Sequence, residues 1–346
     1  MTGAKPPTLR DVARLAEVHV STASRALDPA RGGRVAGPTL ERVRAAAAQL
    51  GYAPDLVAAG LKRGRTRSVG VIVADFENPF TGPLSRGIAS VLAEHDHVAL
   101  LAETEEDGAR LERVLRHFVQ RRADAIVVTA AHVTDGDTLA AARAHGVPIV
   151  LGIRGVPGLD VPTVLHDDLG GAGRAAEHLL ALGHRDLAQL LGPGGIDTFD
   201  RRRDGFAAPA ARAGVTVRSA GGHAREATIA EGRRLADALL DAGAPPTALF
   251  APSDVMAVGA IDALAARGLS CPADVSIVGY NDAPLVGHLA PPLTTVRLHS
   301  EELGRAAGRA ALQAIAEPAA RPEPVQLPAT LVERGSTAPP PPSEHR

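Results

Sequence analysis

Two hydrophobic rhythms divide the chain. Across residues 8–27, TLRDVARLAEVHVSTASRAL, apolar side chains recur at Leu9, Val12, Ala13 and Ala16, the spacing of a helix with one buried face. Thr8 and Asp11 stand three residues apart, as in a capping box, and predict the start of that helix. Ala16-Glu17-Val18 reads as a tight turn, and Val20, Ala23 and Leu27 predict a second short helix. Two short helices joined by such a turn form a helix-turn-helix. Residues 28–37 read as a loop. A third helix is expected from Pro38 or Thr39 to Leu50, burying Val43, Ala46, Ala47 and Leu50. Pro38 suits a first helical turn, Gly51 ends the helix, and Tyr52 should pack back on the bundle. From Ser68 the rhythm changes. Apolar runs at Val69–Val73, Val98–Leu101, Ala125–Val128 and Val147–Leu151 alternate with helical stretches, and similar runs return at Leu187–Leu191, Ala248–Ala251 and Val275–Val278. That alternation predicts parallel sheets with helices on both faces, and its return after Asp167 predicts two lobes.

The composition, 45% hydrophobic and 22% charged over 346 residues, is that of a soluble globular chain with length for two or three domains. No apolar run reaches the roughly 18 residues of a membrane span, and MTGAKPPT lacks the apolar core of a signal peptide. Cys271 is the only cysteine, which excludes an intrachain disulfide and a thiolate metal site. The expected location is the cytosol. Charge is unevenly placed: residues 1–68 hold 12 Lys and Arg against 5 Asp and Glu, and the remainder holds 25 against 34. A basic head on an acidic body suits a nucleic-acid binder with a separate sensing domain. The second helix turns small polar residues and Arg25 away from its apolar stripe, so it can enter a major groove, where an arginine reaches a guanine edge or a phosphate. An ordinary amphipathic helix pair has the same periodicity, but the basic charge coincides with this one. No GxSxG, P-loop or HExxH string is present. Gly171, Gly173 and Ala176 fit a dinucleotide pattern only loosely, and His95 and His97 read as surface residues. Neither an enzyme, a metal nor a cofactor is expected.

TLRDVA, STASRAL, ERV with LGYAPD behind it, VAAGL and SVGVIV are followed by NPF, HLLALGHR, DGF, SDVMAVGAI, VGYND, PPLTTV and LVERGST. In this order and over nearly the whole chain, they resemble the LacI/GalR family of transcription regulators. The resemblance implies an α/β protein: an all-α helix-turn-helix headpiece at 1–53, a hinge helix and linker at 54–68, and a two-lobed doubly wound core at 69–336. That core is like the periplasmic (type I) sugar-binding proteins. The chain should cross between lobes near 165, 293 and 320, giving one lobe of about 69–165 and 293–320 and another of about 166–292 and 321–336. Residues 337–346 are expected to be a disordered tail without a tetramerising heptad. By the same resemblance Val20 and Ser21 read base edges with Arg25, while Thr22, Ser24, Thr39 and Tyr52 face phosphates; Thr8 and His19 join this DNA-binding set. Leu61 matches a leucine that wedges between central base steps, with Val57 and Ala58 beside it. A helix this short is not stable alone and should form only on DNA, in a dimer. A plain interdomain linker is the competing reading of that segment.

In open α/β sheets ligands sit beyond the carboxyl ends of the strands, so the cleft between lobes is the candidate effector site. ADFENPFTG supplies Asp75, Asn78, Phe80 and Thr81; DRRRDGF supplies Arg202, which matches the family's effector-binding arginine; APSDVM supplies Ser253 and Asp254; VGYNDAP supplies Asn281 and Asp282. Asp, Asn and Arg present the paired donors and acceptors a polyol needs, and Phe80 can cover an apolar ring face. Asp254 and Asp282 also suit helix caps, and Arg202, Arg203 and Asp204 also suit a surface cluster. Ile153, Ser253 and Asn281 depart from the family's common residues, which points to a ligand with fewer hydroxyls or with a negative group that Arg202 holds. In the head, Glu17 replaces a turn glycine, His19 replaces a serine that caps the second helix and Ala36 removes a cap of the third, while Asp28 and Asp55 stand where asparagines are common. These changes predict modest, salt-sensitive DNA affinity. The expected partners are a near-palindromic operator duplex, a second copy in a homodimer, and a small-molecule effector, carbohydrate by resemblance. A transporter's solute-binding protein shares the core, but the basic head disfavours it.

Overall fold

The computed structural model describes residues 7–27, 35–52, 65–320 and 323–342. The chain forms two compact units, 1–66 and 67–346.

Among the described residues the first unit holds three helices, α1 (Leu9–Leu15), α2 (Val20–Ala26) and α3 (Gly37–Leu50). Val12, Ala13, Ala16, Ala23, Ala26, Val43, Ala46 and Ala47 form its core, with Leu50 and Tyr52 packed partly buried against it. Thr8 caps α1 through the expected reciprocal box: its hydroxyl accepts from the Asp11 amide, and its own amide donates to the Asp11 carboxylate at 2.9 Å. Gly51 ends α3 in the left-handed region at φ 63°, where glycine has no Cβ to clash. Ala36 stands at the N-cap of α3 and offers no side-chain acceptor.

The second unit contains two six-stranded sheets. One runs β11-β5-β4-β3-β1-β2, all parallel, from β1 (Ser68–Val73), β2 (Val98–Glu103), β3 (Ala125–Val128), β4 (Ile149–Gly152), β5 (Thr163–His166) and β11 (Val325–Leu327). The other runs β12-β10-β9-β8-β6-β7, from β6 (Leu187–Gln189), β7 (Val217–Arg218), β8 (Ala248–Phe250), β9 (Ser276–Asn281), β10 (Thr294–Leu298) and β12 (Ala329–Val332); only β12 is antiparallel to its neighbour. Apolar clusters cover both faces of each sheet. On the first, Val69, Val71 and Val73 face Leu84 and Ile88, while Ile72, Ile126 and Val128 face Leu111, Leu115 and Phe118. This is the burial that continuous, non-alternating apolar runs require.

The first passage between sheets follows His166, near the expected 165, but the other two differ: β10 belongs to the second sheet and β11 to the first, so the chain passes after Leu298 and Leu327 rather than near 293 and 320. The second passage is set by the helix Ser300–Ala316, whose Leu303, Ala307 and Ala311 join the first lobe's core. It lies against the helix Thr81–Glu94 at a glycine contact. A Cβ at Gly87 would collide with the Glu301 carbonyl, and one at Gly304 with the Leu84 carbonyl. The tail also departs from expectation, because its first residues are bound: the Ser276 hydroxyl and the Ala338 backbone exchange hydrogen bonds at 3.1 Å, and His178 Nε2 lies 3.0 Å from the Thr337 hydroxyl. His97 is not a surface residue; its side chain is 11% exposed and lies 3.4 Å from the Asp124 carboxylate.

Candidate functional site

In the headpiece the capping and packing rules decide which side chains remain for a partner. His19, Ser21, Ser24 and Arg25 are exposed, while Thr22, Thr39 and Tyr52 are half-buried. Val20 is half-buried against the headpiece core, so only part of it is open to a thymine methyl. The Arg25 guanidinium donates through Nε to the Ser21 carbonyl at 3.2 Å, one turn back along α2. His19 caps α2, its Nδ1 accepting from the Ser21 amide at 3.3 Å. The Thr8 hydroxyl is engaged in its capping box, donating to Asp11 at 2.6 Å. Val57, Ala58 and Leu61, the hinge candidates, lie outside the described residues, as do Asp28 and Asp55.

Glu17 adopts φ 51° in the turn between the two helices. A side chain in that region costs about 1 kcal/mol, so Glu17→Gly is expected to stabilise the head by at most about 0.5 kcal/mol after glycine's larger unfolded-state entropy is counted. Removing its charge should also tighten DNA binding at low salt, with the gain shrinking as salt screens the phosphates. Salt titrations of both proteins on one duplex check this, and coincident affinities at every salt would refute it.

The cleft of the core is built from strand ends and first helical turns. Loop 74–81 after β1 brings Asp75, Asn78, Phe80 and Thr81; the helix Asp197–Arg212 brings Thr198, Phe199 and Arg202; the turn after β8 brings Ser253 and Asp254; the end of β9 brings Asn281 and Asp282. All nine sequence-predicted cleft residues line one cavity of about 170 Å³. A cavity on the order of 150 Å³ admits a six-membered ring. The lobes also touch directly, the Gly155 amide donating to Asp197 at 3.0 Å and the Val133 amide to the Gly195 carbonyl at 3.0 Å.

Arg202 is 5% exposed and is not part of a surface cluster. Its Nε donates to Asp168 and its Nη1 to the Pro252 carbonyl, both at 2.8 Å, and its guanidinium lies 4.1 Å over the Tyr280 ring. Burial pushes the Asp168 carboxyl above its ordinary range, against the pull of Arg202. Arg203 and Asp204 do pair at the surface.

The aspartates are held by the protein. Ser253, not Asp254, caps the helix Asp254–Ala266, its hydroxyl accepting from the Met256 amide at 3.4 Å. Asp254 instead accepts from the Thr295 hydroxyl at 2.6 Å and the Ala283 amide at 2.7 Å, and burial pushes its carboxyl up to about 7 against those hydrogen bonds. Asp282 is no helix cap either: it pairs with Arg297 at 2.6 Å and Arg334 at 2.7 Å, after a turn in which Asn281 and Asp282 take φ 112° and 57°. Asp75 and Asn78 each close a turn of their loop, accepting from the Glu77 and Phe80 amides at 2.6 and 3.0 Å.

Sequence reasoning passed over Arg154, which lines the same cavity from the end of β4 and is 8% exposed. It clasps Glu106 in a two-bonded pair at 2.8 and 2.5 Å. Burial would raise the Glu106 carboxyl, but Arg154 and His132 outweigh it and hold it at about 2. The signal was an arginine at a strand end in VLGIRG, next to Ile153, whose φ of 68° turns the chain there.

The same two-part layout is found in known proteins. The model of bacterial regulatory proteins of the lacI family matches residues 8–55, and that of the periplasmic binding protein-like domain matches residues 176–337. The HTH-type transcriptional regulator DegA of Bacillus subtilis (strain 168) is 32% identical over 335 residues, 96% of this chain and 98% of DegA. The ribose operon repressor of Escherichia coli (strain K12) is 30% identical over 329 residues, 95% of this chain and 99% of its own. The crystal structure of the lac repressor dimer bound to operator and the anti-inducer ONPF aligns with a TM-score of 0.85 at 26% identity, covering 96% of this chain and 100% of that one. With a helix-turn-helix head, a two-lobed core and relatives matched along nearly their full length, the chain belongs to the LacI family of bacterial transcriptional regulators.

Proposed function

We propose that the protein is a ligand-responsive repressor that binds a near-palindromic operator as a homodimer in the cytosol, without catalysing a reaction. One observation carries the reading: a head that turns Ser21, Ser24 and Arg25 to solvent shares a chain with a core whose polar side chains converge on a ring-sized cavity between two lobes. In the head, Ser21 and Arg25 offer base-edge contacts and the remaining polar residues offer phosphate contacts. In the core, the effector is a small metabolite held in the cleft, a carbohydrate or a molecule of that size. A ligand that prefers one lobe arrangement shifts the protein toward it, and DNA affinity changes by the same coupling. Among the described residues no helix is long and apolar enough to cross a membrane.

Selection of duplexes from a random pool by the full-length protein tests this, followed by mass measurement of the complex. A two-fold-symmetric consensus carrying two protomers is expected. Recovery of no sequence above the starting pool at moderate salt would refute it. Adding sugars and their acidic or phosphorylated forms to the purified complex then shows whether a cleft ligand moves DNA affinity in either direction.

A further inference from the structure

The donor and acceptor inventory of the cavity points to a ligand chemistry. Three carboxylates line it, Asp75, Asp254 and Asp282. Both oxygens of Asp254 accept hydrogen bonds from Thr295 and Ala283, and both oxygens of Asp282 are paired with arginines. Asp75 keeps one oxygen beyond the turn it closes. Few anionic acceptors are therefore left for the hydroxyl hydrogens of a neutral polyol.

The donors are placed oppositely. A guanidinium has five N–H groups. Arg202 uses two of them on Asp168 and Pro252, and Arg154 uses two on Glu106. Three remain on each. Both arginines line the cavity, one from each lobe, whereas Glu106 and Asp168, which balance them, do not. First-turn residues of four helices, Thr81, Thr198, Asp254 and Ser300, line it as well, and helix starts add positive potential there.

Resting on the cleft as the effector site, we propose that the effector is a ring-sized molecule bearing an oxyanion, a carboxylate or a phosphate, which bridges Arg154 of the first lobe and Arg202 of the second. Planar guanidinium forks match both anions. The bridge ties the lobes together, so the charged group that gives specificity also drives the lobe closure. Ile153 and Phe80 leave the rest of the ring a largely apolar wall.

The test is calorimetric titration of the full-length protein at matched ionic strength with glucose, glucuronate and glucose 6-phosphate, and with ribose and ribose 5-phosphate. Inorganic phosphate and acetate serve as minimal probes. At least one oxyanion-bearing member is expected to bind tenfold or more tightly than its neutral parent. Glucuronate ahead of glucose 6-phosphate assigns a carboxylate, and the reverse order a phosphate. Arg154→Gln should cut that affinity tenfold or more, with Arg154→Lys intermediate because it keeps charge and loses the fork. Since Arg154→Gln leaves Glu106 without its partner and weakens the fold, the wild-type preference for acid over parent stands as an independent readout. A neutral parent that binds as tightly as its acid overturns the proposal and leaves the cleft as an effector site. Silence of every probe, charged and neutral, overturns both.

Discussion

Arg202→Ala is expected to lower the stability of the core by about 3–5 kcal/mol, the typical cost of leaving one partner of a buried ion pair alone. The geometry places the change in this class. Asp168 and Arg202 have side chains only 2% and 6% exposed, so the pair is largely shielded from water. The variant also loses the bond to the Pro252 carbonyl and the stacking over Tyr280. Asp168 can escape its stranded charge by taking a proton. Burial already raises its carboxyl, and removing Arg202 raises it further. A group with a raised folded-state pKa binds a proton in the native state, so the variant's deficit should be smaller at pH 5 than at pH 8. Urea denaturation at both pH values measures this. The double variant Asp168→Leu with Arg202→Met should recover most of the stability, because an apolar pair of similar volume replaces a buried ion pair at little cost, yet it should lose any ligand response that depends on Arg202. That pattern separates the fold role of the pair from its ligand role. A pH-independent loss below about 1 kcal/mol would mean that water reaches the site.

Apolar periodicity made the scaffold legible because burial enforces it. Val69 to Val73 must be covered on both faces, and Val12, Ala13 and Ala16 on one. Eight of the nine cleft residues were legible for a different reason: they follow strand ends, where this architecture places ligands, whereas Arg202 stands in the helix Asp197–Arg212 and was legible only through its resemblance to the family's arginine. What each carboxylate does was not legible. Asp254 looks like a cap in the string APSDVM, and only the fold brings Thr295 and the Ala283 amide to it. Asp282 meets Arg297 and Arg334 across strands distant in sequence. The second and third crossings were misplaced because β10 and β11 are short runs whose sheet is decided by their neighbours, and that choice depends on where the helix Ser300–Ala316 packs. The bound start of the tail is invisible to composition, since Pro-rich segments read as disordered until a partner such as Ser276 is found.

The pH dependence of core stability is expected to hide two opposing groups, which substitution of His166 separates. His166 ends β5 at the first crossing, is 1% exposed, and meets the edge of the Phe80 ring at 5.9 Å. Its Nε2 has no hydrogen-bond partner among the described residues. Burial first, and the Arg202 cation second, push this imidazole down to about 3. An unfolded histidine titrates near 6.5, so between those values the unfolded chain holds one more proton and stability is lost as pH falls. Asp254 acts the other way. Burial pushes it up to about 7, so between the ordinary carboxylate range and 7 the native state holds the extra proton and stability is gained as pH falls. Each group contributes about 1.4 kcal/mol per pH unit inside its window, and from pH 6.5 to 5 the two nearly cancel. His166→Leu should therefore gain about 2 kcal/mol relative to wild type between pH 7.5 and 5, and its own stability should rise over that range as Asp254 is unmasked. Denaturation curves at half-unit steps of pH check both slopes. A constant difference between the two proteins would mean that His166 takes up its proton as readily in the folded core as in the unfolded chain, so that burial does not hold its imidazole neutral.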